Sequence, residues 1–182
     1  MSVLHNAGHS GGRRGGIVIR PMTEADWVAF FPVFAEIVEA GETYAFPRFT
    51  SADDARPWWL DPSGDGPSVT VVAVDETTGE LLGSAKSGAN RPGRGAHVST
   101  ASFMVAPTAR GRGVGRLLGE WVLDWARQAG FASMQFNAVV ETNTAAVALW
   151  QDLGFEIIGT VPEAFESLAQ GRVGLHVMHR YL

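Results

Sequence analysis

Apolar positions recur along this chain with two periods. From Val114 to Gln128 the segment VGRLLGEWVLDWARQ sets Val114, Leu117, Leu118, Trp121, Val122 and Trp125 three and four residues apart, one stripe of an amphipathic helix. Gly130 supplies the left-handed residue expected to end it. Ala96 to Val105 (AHVSTASFMV) is an apolar run rich in Val, Ser and Thr, bounded by Gly and Pro, and predicts a buried strand. Further strands are predicted over Ile17–Arg20, Val69–Val74, Glu80–Gly88, Ser133–Val140, Phe155–Val161 and Leu175–Tyr181. Asp75–Gly79 makes a hairpin of Val69–Val74 and Glu80–Gly88, which should run antiparallel with the central strand and take the first strand at their edge. Pro162–Gly174 joins the last two strands. Thr23, followed by Glu24 and Asp26, opens a helix with Trp27, Phe30, Phe31, Phe34, Ile37 and Val38 on one face, which Pro32 should kink or split. Ala52–Leu60 and Asn143–Leu153 are two further helices.

Strands alternating with helices over 182 residues, 46% of them apolar, predict one α/β domain over residues 17–182. Residues 1–16 (MSVLHNAGHSGGRRGG) hold too little apolar surface to pack and read as a disordered tail. No run is long and apolar enough to span a bilayer, and the N-terminus lacks a signal-peptide pattern, so a cytoplasmic protein is expected. The chain has no Cys, which excludes thiolate metal sites and a Cys nucleophile, and no metal is expected. Net charge is −5 with a single Lys among fourteen basic residues, a poor field for nucleic acid. The cluster Arg110, Arg112, Arg116 therefore suits a small polyanion better.

That cluster lies at the junction of the central strand and the long helix, Arg110-Gly111-Arg112-Gly113-Val114-Gly115. Closely spaced glycines before a helix let unpaired N–H groups turn inward at the positive end of the dipole, which is an anion cradle. A flexible loop with a basic face gives the same composition. No Lys follows Gly115, so this is not a Walker loop, and GxGxG is not the dinucleotide pattern GxGxxG.

The order strand, Pro, Arg-x-x-Gly-x-Gly, helix, strand, Asn-helix, Gly-Phe resembles the GCN5-related N-acetyltransferase (GNAT) superfamily. Arg110, Gly113 and Gly115 fit its pyrophosphate-binding signature; Asn143, Ala146, Leu149, Trp150, Gly154 and Phe155 fit a second block. Together they cover Val98 to Phe155. The paired Asn137 and Asn143, Trp150, and the AGETYAFP exit of the first helix resemble more closely the acetyltransferases of proline analogues such as azetidine-2-carboxylate, and more loosely phosphinothricin acetyltransferase.

The resemblance implies a mixed sheet of about six or seven strands with helices on both faces and a splayed strand pair holding CoA. It also implies acetyl-CoA as donor and direct transfer to the amine of a small molecule, an amino acid or toxic analogue. An antibiotic or protein N-terminus as acceptor, or a non-catalytic acyl-CoA sensor, are alternatives. The implied donor site comprises Phe103, Met104, Val105, the turn residues Arg110, Gly111, Arg112, Gly113, Val114, Gly115 and Arg116, then Asn137, Asn143, Ala146 and Trp150. Phe103 would act through a free backbone N–H at the thioester carbonyl, and Asn137 as a catalytic hydrogen-bond donor.

Asn137, read as buried in its strand, needs a polar partner, which is either the cofactor or the backbone of a bulge or loop; Asn143 is an N-cap, a cofactor contact, or both. Trp150 stands where the superfamily often has a proton-donating Tyr, and an indole cannot serve; it otherwise reads as packing. Tyr44, Phe46 and Thr100 are the candidate acceptor residues, Phe46 reading equally as core edge. Glu36, Glu39, Glu42, His97 and Glu141 are unranked proton relays, and Arg48 or Arg56 could hold a substrate carboxylate. Homodimers are common in the resembled group, though no segment marks an interface.

Overall fold

The computed structural model of the chain describes residues 13–60 and 66–182. Its strands form one sheet in the order β1 (Arg13–Arg14), β2 (Ile17–Pro21), β3 (Val69–Asp75), β4 (Leu81–Ala89), β5 (Val98–Val105), β6 (Ser133–Val140), β8 (Gly171–Tyr181), β7 (Glu156–Ser167). All neighbours are antiparallel except β5 and β6. Four helices accompany them: α1 (Glu24–Ala40), α2 (Ala52–Leu60), α3 (Val114–Gln128) and α4 (Thr144–Asp152). This is the α/β fold with a mixed sheet that the sequence predicts, with one further two-residue strand. Arg13–Arg14 pairs with Ile17 and Val18, and the remainder of the expected tail, residues 1–12, lies outside the described residues.

Side-chain alternation along β5 assigns the two helix pairs to opposite faces. Met104 packs with Trp27, Phe30, Phe34 and Trp59 of α1 and α2, whereas Phe103 and Val105 pack with Val114, Leu118 and Trp150 of α3 and α4. Trp59 is fully buried, and its indole N–H donates to Ser84 Oγ (2.8 Å), whose hydroxyl donates to the Val71 carbonyl (2.8 Å). A buried indole thus has its partner, and α2 is pinned to the middle of the sheet.

Two expectations are corrected. Of the kink or split expected at Pro32, the split does not occur: α1 is one helix over Glu24–Ala40. The hydrogen bond that Pro32 forfeits would go to the carbonyl of Val28, a residue that like Pro32 lies on the exposed side of the helix, while burial of Trp27, Phe30, Phe34 and Val38 holds both sides of the helix. The segment Pro162–Gly174 is largely strand, not a connection. Pro162 and Glu163 (φ 53°) fall in a bulge between Val161 and Phe165, and beyond it Phe165 and Val173 bury themselves against Val140.

Candidate functional site

The parallel pair β5–β6 holds together only at Val98–Ser133 and Ser99–Met134. Beyond Ser99 the strands part. The bonds from Asn90 N–H to the Val98 carbonyl (2.8 Å) and from Ala106 N–H to the Leu82 carbonyl (2.9 Å), with the one-to-one register between them, fix how β5 alternates. Val98, Thr100, Ser102 and Met104 turn their backbone groups to β4; Ala101, Phe103 and Val105 turn theirs into the gap. Phe103 and Val105 therefore lie where the sequence puts them. Met104 does not: its backbone faces β4 and its side chain is buried among α1 and α2.

Phe103 is not left free, as expected from the sequence, but is gripped. Its N–H donates to Tyr44 Oη (3.0 Å), and the Tyr44 hydroxyl donates to the Phe103 carbonyl (2.6 Å). Tyr44 reaches the gap from the loop after α1, stacked on Phe46 (5.5 Å between centroids), which in turn stacks on Trp58 (5.2 Å). Phe46 is thus the packing support of Tyr44. Burial pushes the Tyr44 phenol well above its usual pKa, the Phe103 N–H pulling weakly the other way, so the hydroxyl stays protonated.

Next to the gap, β5 runs through a short 3₁₀ turn into the glycine junction. Gly111 (φ 77°) and Gly113 (φ 78°) are both left-handed, and Gly113 caps α3 with no side-chain bond to the helix N-terminus. A Cβ on either would meet nothing within 4 Å. The turn is therefore open, with helix-end N–H groups uncapped by any side chain, an arrangement that suits an anion. Gly115 serves close approach instead, a Cβ there lying 3.3 Å from Leu149. Val114 is core. Arg110 is exposed; Arg112 pairs with Asp75 (2.7 Å) and Arg116 with Asp152 (2.9 Å).

On the α1–α2 face a cavity of about 540 Å³ opens beside the gap, lined by Glu24, Arg56, Trp59, Lys86, Thr100 and Asn137 among others. Asn137 is exposed, contrary to the buried position expected, because β6 bulges between Phe136 and Val139. Its amide donates to Asn90 Oδ1 (2.6 Å), while its own Oδ1 accepts from Asn90 (3.3 Å) and Gln135 (2.8 Å). The polar partner is thus a loop side chain. Asn143 caps α4 through the Ala146 N–H (3.3 Å), and Trp150 is buried against Phe103 (4.7 Å) and Phe136 (4.9 Å) as a packing residue.

Several candidates are occupied elsewhere. Arg48 pairs with Glu39 (3.2 Å) and Arg56 with Glu24. Glu42 accepts from Ser167 Oγ (2.6 Å) and the Ala169 N–H (2.9 Å), and Glu141 from the Gly174 N–H (2.5 Å). The sequence reading missed Lys86 and Asn90. The signal for Lys86 was available: the one lysine of the chain stands among small residues in a predicted strand. Among the described residues no cluster of His, Asp or Glu is placed to hold a metal, and no helix is long and apolar enough to cross a membrane.

Residues 26–155 match the family described as Acetyltransferase (GNAT) family. The match begins in α1, well before the motifs. A GCN5-related N-acetyltransferase from Kribbella flavida is 57% identical and superposes with a TM-score of 0.87, covering 92% of this chain and 98% of that one. Phosphinothricin N-acetyltransferase of Streptomyces coelicolor is 33% identical over 150 residues, 81% of this chain and 86% of that protein. N-acetyltransferase aca1 of Schizosaccharomyces pombe is 29% identical over 138 residues, 70% of this chain and 66% of that protein, so the chain spans just under two thirds of that relative's length.

Proposed function

The chain belongs to the acetyltransferase (GNAT) family, and from that premise we propose that it transfers acetyl from acetyl-CoA directly to the amine of a small molecule, an amino acid or a toxic analogue of one. The carrying observation is the gap between β5 and β6, with the Phe103 N–H and carbonyl directed into it and the open Gly111–Gly113 turn beside it. The turn suits the donor's pyrophosphate, since its left-handed glycines leave the N-terminus of α3 open and uncapped by any side chain.

Acetyl-CoA supplies the acetyl group as a thioester. The chain supplies the rest. Phe103 N–H is a fixed donor for a carbonyl oxygen on which negative charge grows, and Tyr44 must release it for that purpose. Once released, the Tyr44 hydroxyl remains a protonated hydrogen-bond donor at the same place, one that could steady the departing thiolate while water supplies its proton. Asn137, held by Asn90, sets the far wall of the cavity. Glu24, the carboxylate that lines the cavity, is tied to Arg56, so the proton of the incoming ammonium passes to water.

Purified protein with acetyl-CoA and a panel including L-phosphinothricin and L-azetidine-2-carboxylate should release CoA thiol, read without background because the chain has no Cys. Gly113→Glu fills the cradle and should abolish both turnover and thermal stabilisation by acetyl-CoA, at a cost of about 1–2 kcal/mol for a left-handed side chain. Undiminished acetyl-CoA affinity in that variant would refute the cradle. Stabilisation of the unmutated protein with no thiol released on any amine would leave a binding module in place of an enzyme.

A further inference from the structure

We infer that Lys86 is the specificity anchor of the acceptor cavity, and that the ligand it takes is the carboxylate of an amine-bearing acid; this rests on the acetyl-transfer reading above. Lys86 is the only lysine in the chain. It lies on β4 directly across from Ser102, one residue from Phe103, and lines the cavity with Ser87, Thr100 and Asn137. Its ammonium donates to the Trp58 carbonyl and sits 5.7 Å from the centroid of the Trp59 ring. Among the described residues no carboxylate pairs with it.

An ammonium has three donors, and half-burying it beside one carbonyl and one ring is costly. The cost shows in the direction of its pKa, which burial lowers. The other charges lining the cavity, Glu24 and Arg56, neutralise each other. A chain of net charge −5 thus presents a cavity whose uncompensated charge is positive. A carboxylate entering it would satisfy the ammonium and bring an amine on the neighbouring carbon towards the gap beside Phe103. Arg48 and Arg56, the arginines singled out for this task in the sequence, are already ion-paired, which among the charges lining the cavity leaves Lys86.

One lysine gives one signal. In protein labelled at lysine Cε and Nζ, that signal should shift saturably with L-azetidine-2-carboxylate or L-phosphinothricin and stay in place with the corresponding carboxamides. In turnover, Lys86→Met should raise KM for the acids about tenfold or more, the size of one charge-assisted hydrogen bond, with kcat little changed and KM for the carboxamides unmoved. Lys86→Arg should recover much of the loss, and stabilisation by acetyl-CoA should persist in both variants as evidence of folding. Equal effects on acid and amide would make Lys86 structural and overturn the inference, as would a lysine signal indifferent to an acid that the protein acetylates. If no amine is acetylated, the transfer reading falls, while the signal still reports whether a carboxylate reaches Lys86.

Discussion

Tyr44 holds two backbone groups of Phe103 with one hydroxyl, and the proposed transfer would need one of them for the thioester carbonyl. In Tyr44→Phe the Phe103 N–H and carbonyl lose their partner, which should lower the stability of the ligand-free protein by about 1–2 kcal/mol. Because the hydroxyl no longer competes, acetyl-CoA should bind a few-fold more tightly, while kcat falls about tenfold or more through loss of a donor at the developing charge. Melting curves, calorimetry and turnover read the three separately; an unaltered melting temperature would mean that the hydroxyl contributes nothing at Phe103. The sequence singles out Tyr44 because a phenol in an apolar loop needs a partner, but which partner depends on a contact across 59 positions. Asn137 shows the converse. Its neighbours Met134, Phe136 and Val139 make the strand look buried throughout, and nothing local announces a bulge that turns one residue outward.

At the scale of the element, local signals are strong where capping and periodicity agree. α3 spans Val114–Gln128, the bounds predicted, because an uninterrupted stripe and flanking glycines define it, and β6 spans Ser133–Val140, also as predicted. The start of α1 is equally legible. Thr23 Oγ1 accepts from the Asp26 N–H (3.2 Å), and the Asp26 carboxylate accepts from the Thr23 N–H (2.8 Å) and from both Arg20 nitrogens (2.6 and 2.8 Å). Arg20 first, then Thr23, holds this carboxyl far below the usual range against the opposing effect of burial. A folded-state pKa depressed in this way gives stability present above the unfolded value, about pH 4, and lost as pH falls further. Asp26→Asn should therefore cost about 1–2 kcal/mol at neutral pH, discounted because Arg20 is 41% exposed, and the gap to the unmutated protein should narrow progressively below about pH 4. Denaturant titrations at several pH values check it; a pH-independent difference would assign the effect to packing. Pro32 and Pro162 misled for one reason: proline forbids a hydrogen bond only where one is required, and a solvent-facing helical carbonyl or a bulge requires none.

Across the whole molecule the sheet is continuous in order but not in strength. The strands from β1 to β5 and those from β6 to β8 meet through Val98–Ser133 and Ser99–Met134, helped by Ser99 Oγ donating to the Ser133 carbonyl (3.1 Å). Strand order is not written in periodicity, and this weak seam came from family resemblance, not from pattern. Amide exchange should expose it. In the ligand-free protein the Ala101 and Val105 amides, turned into the gap, should exchange quickly, and Ser102 and Met104, turned to β4, slowly; acetyl-CoA should slow the first pair and leave the second unchanged. Uniform protection along β5 without ligand would contradict the splay.

A seam of this kind makes the donor a brace as well as a reagent. Two half-sheets that share so few backbone bonds lean on their common core, and a pantetheine chain lying between them, as proposed, would clasp them further by the ordinary linkage of binding to folding. Starved of coenzyme, the protein would open at that join first and offer β5 to proteases. Its lifetime in a cell would then rise and fall with the supply of acetyl groups it spends.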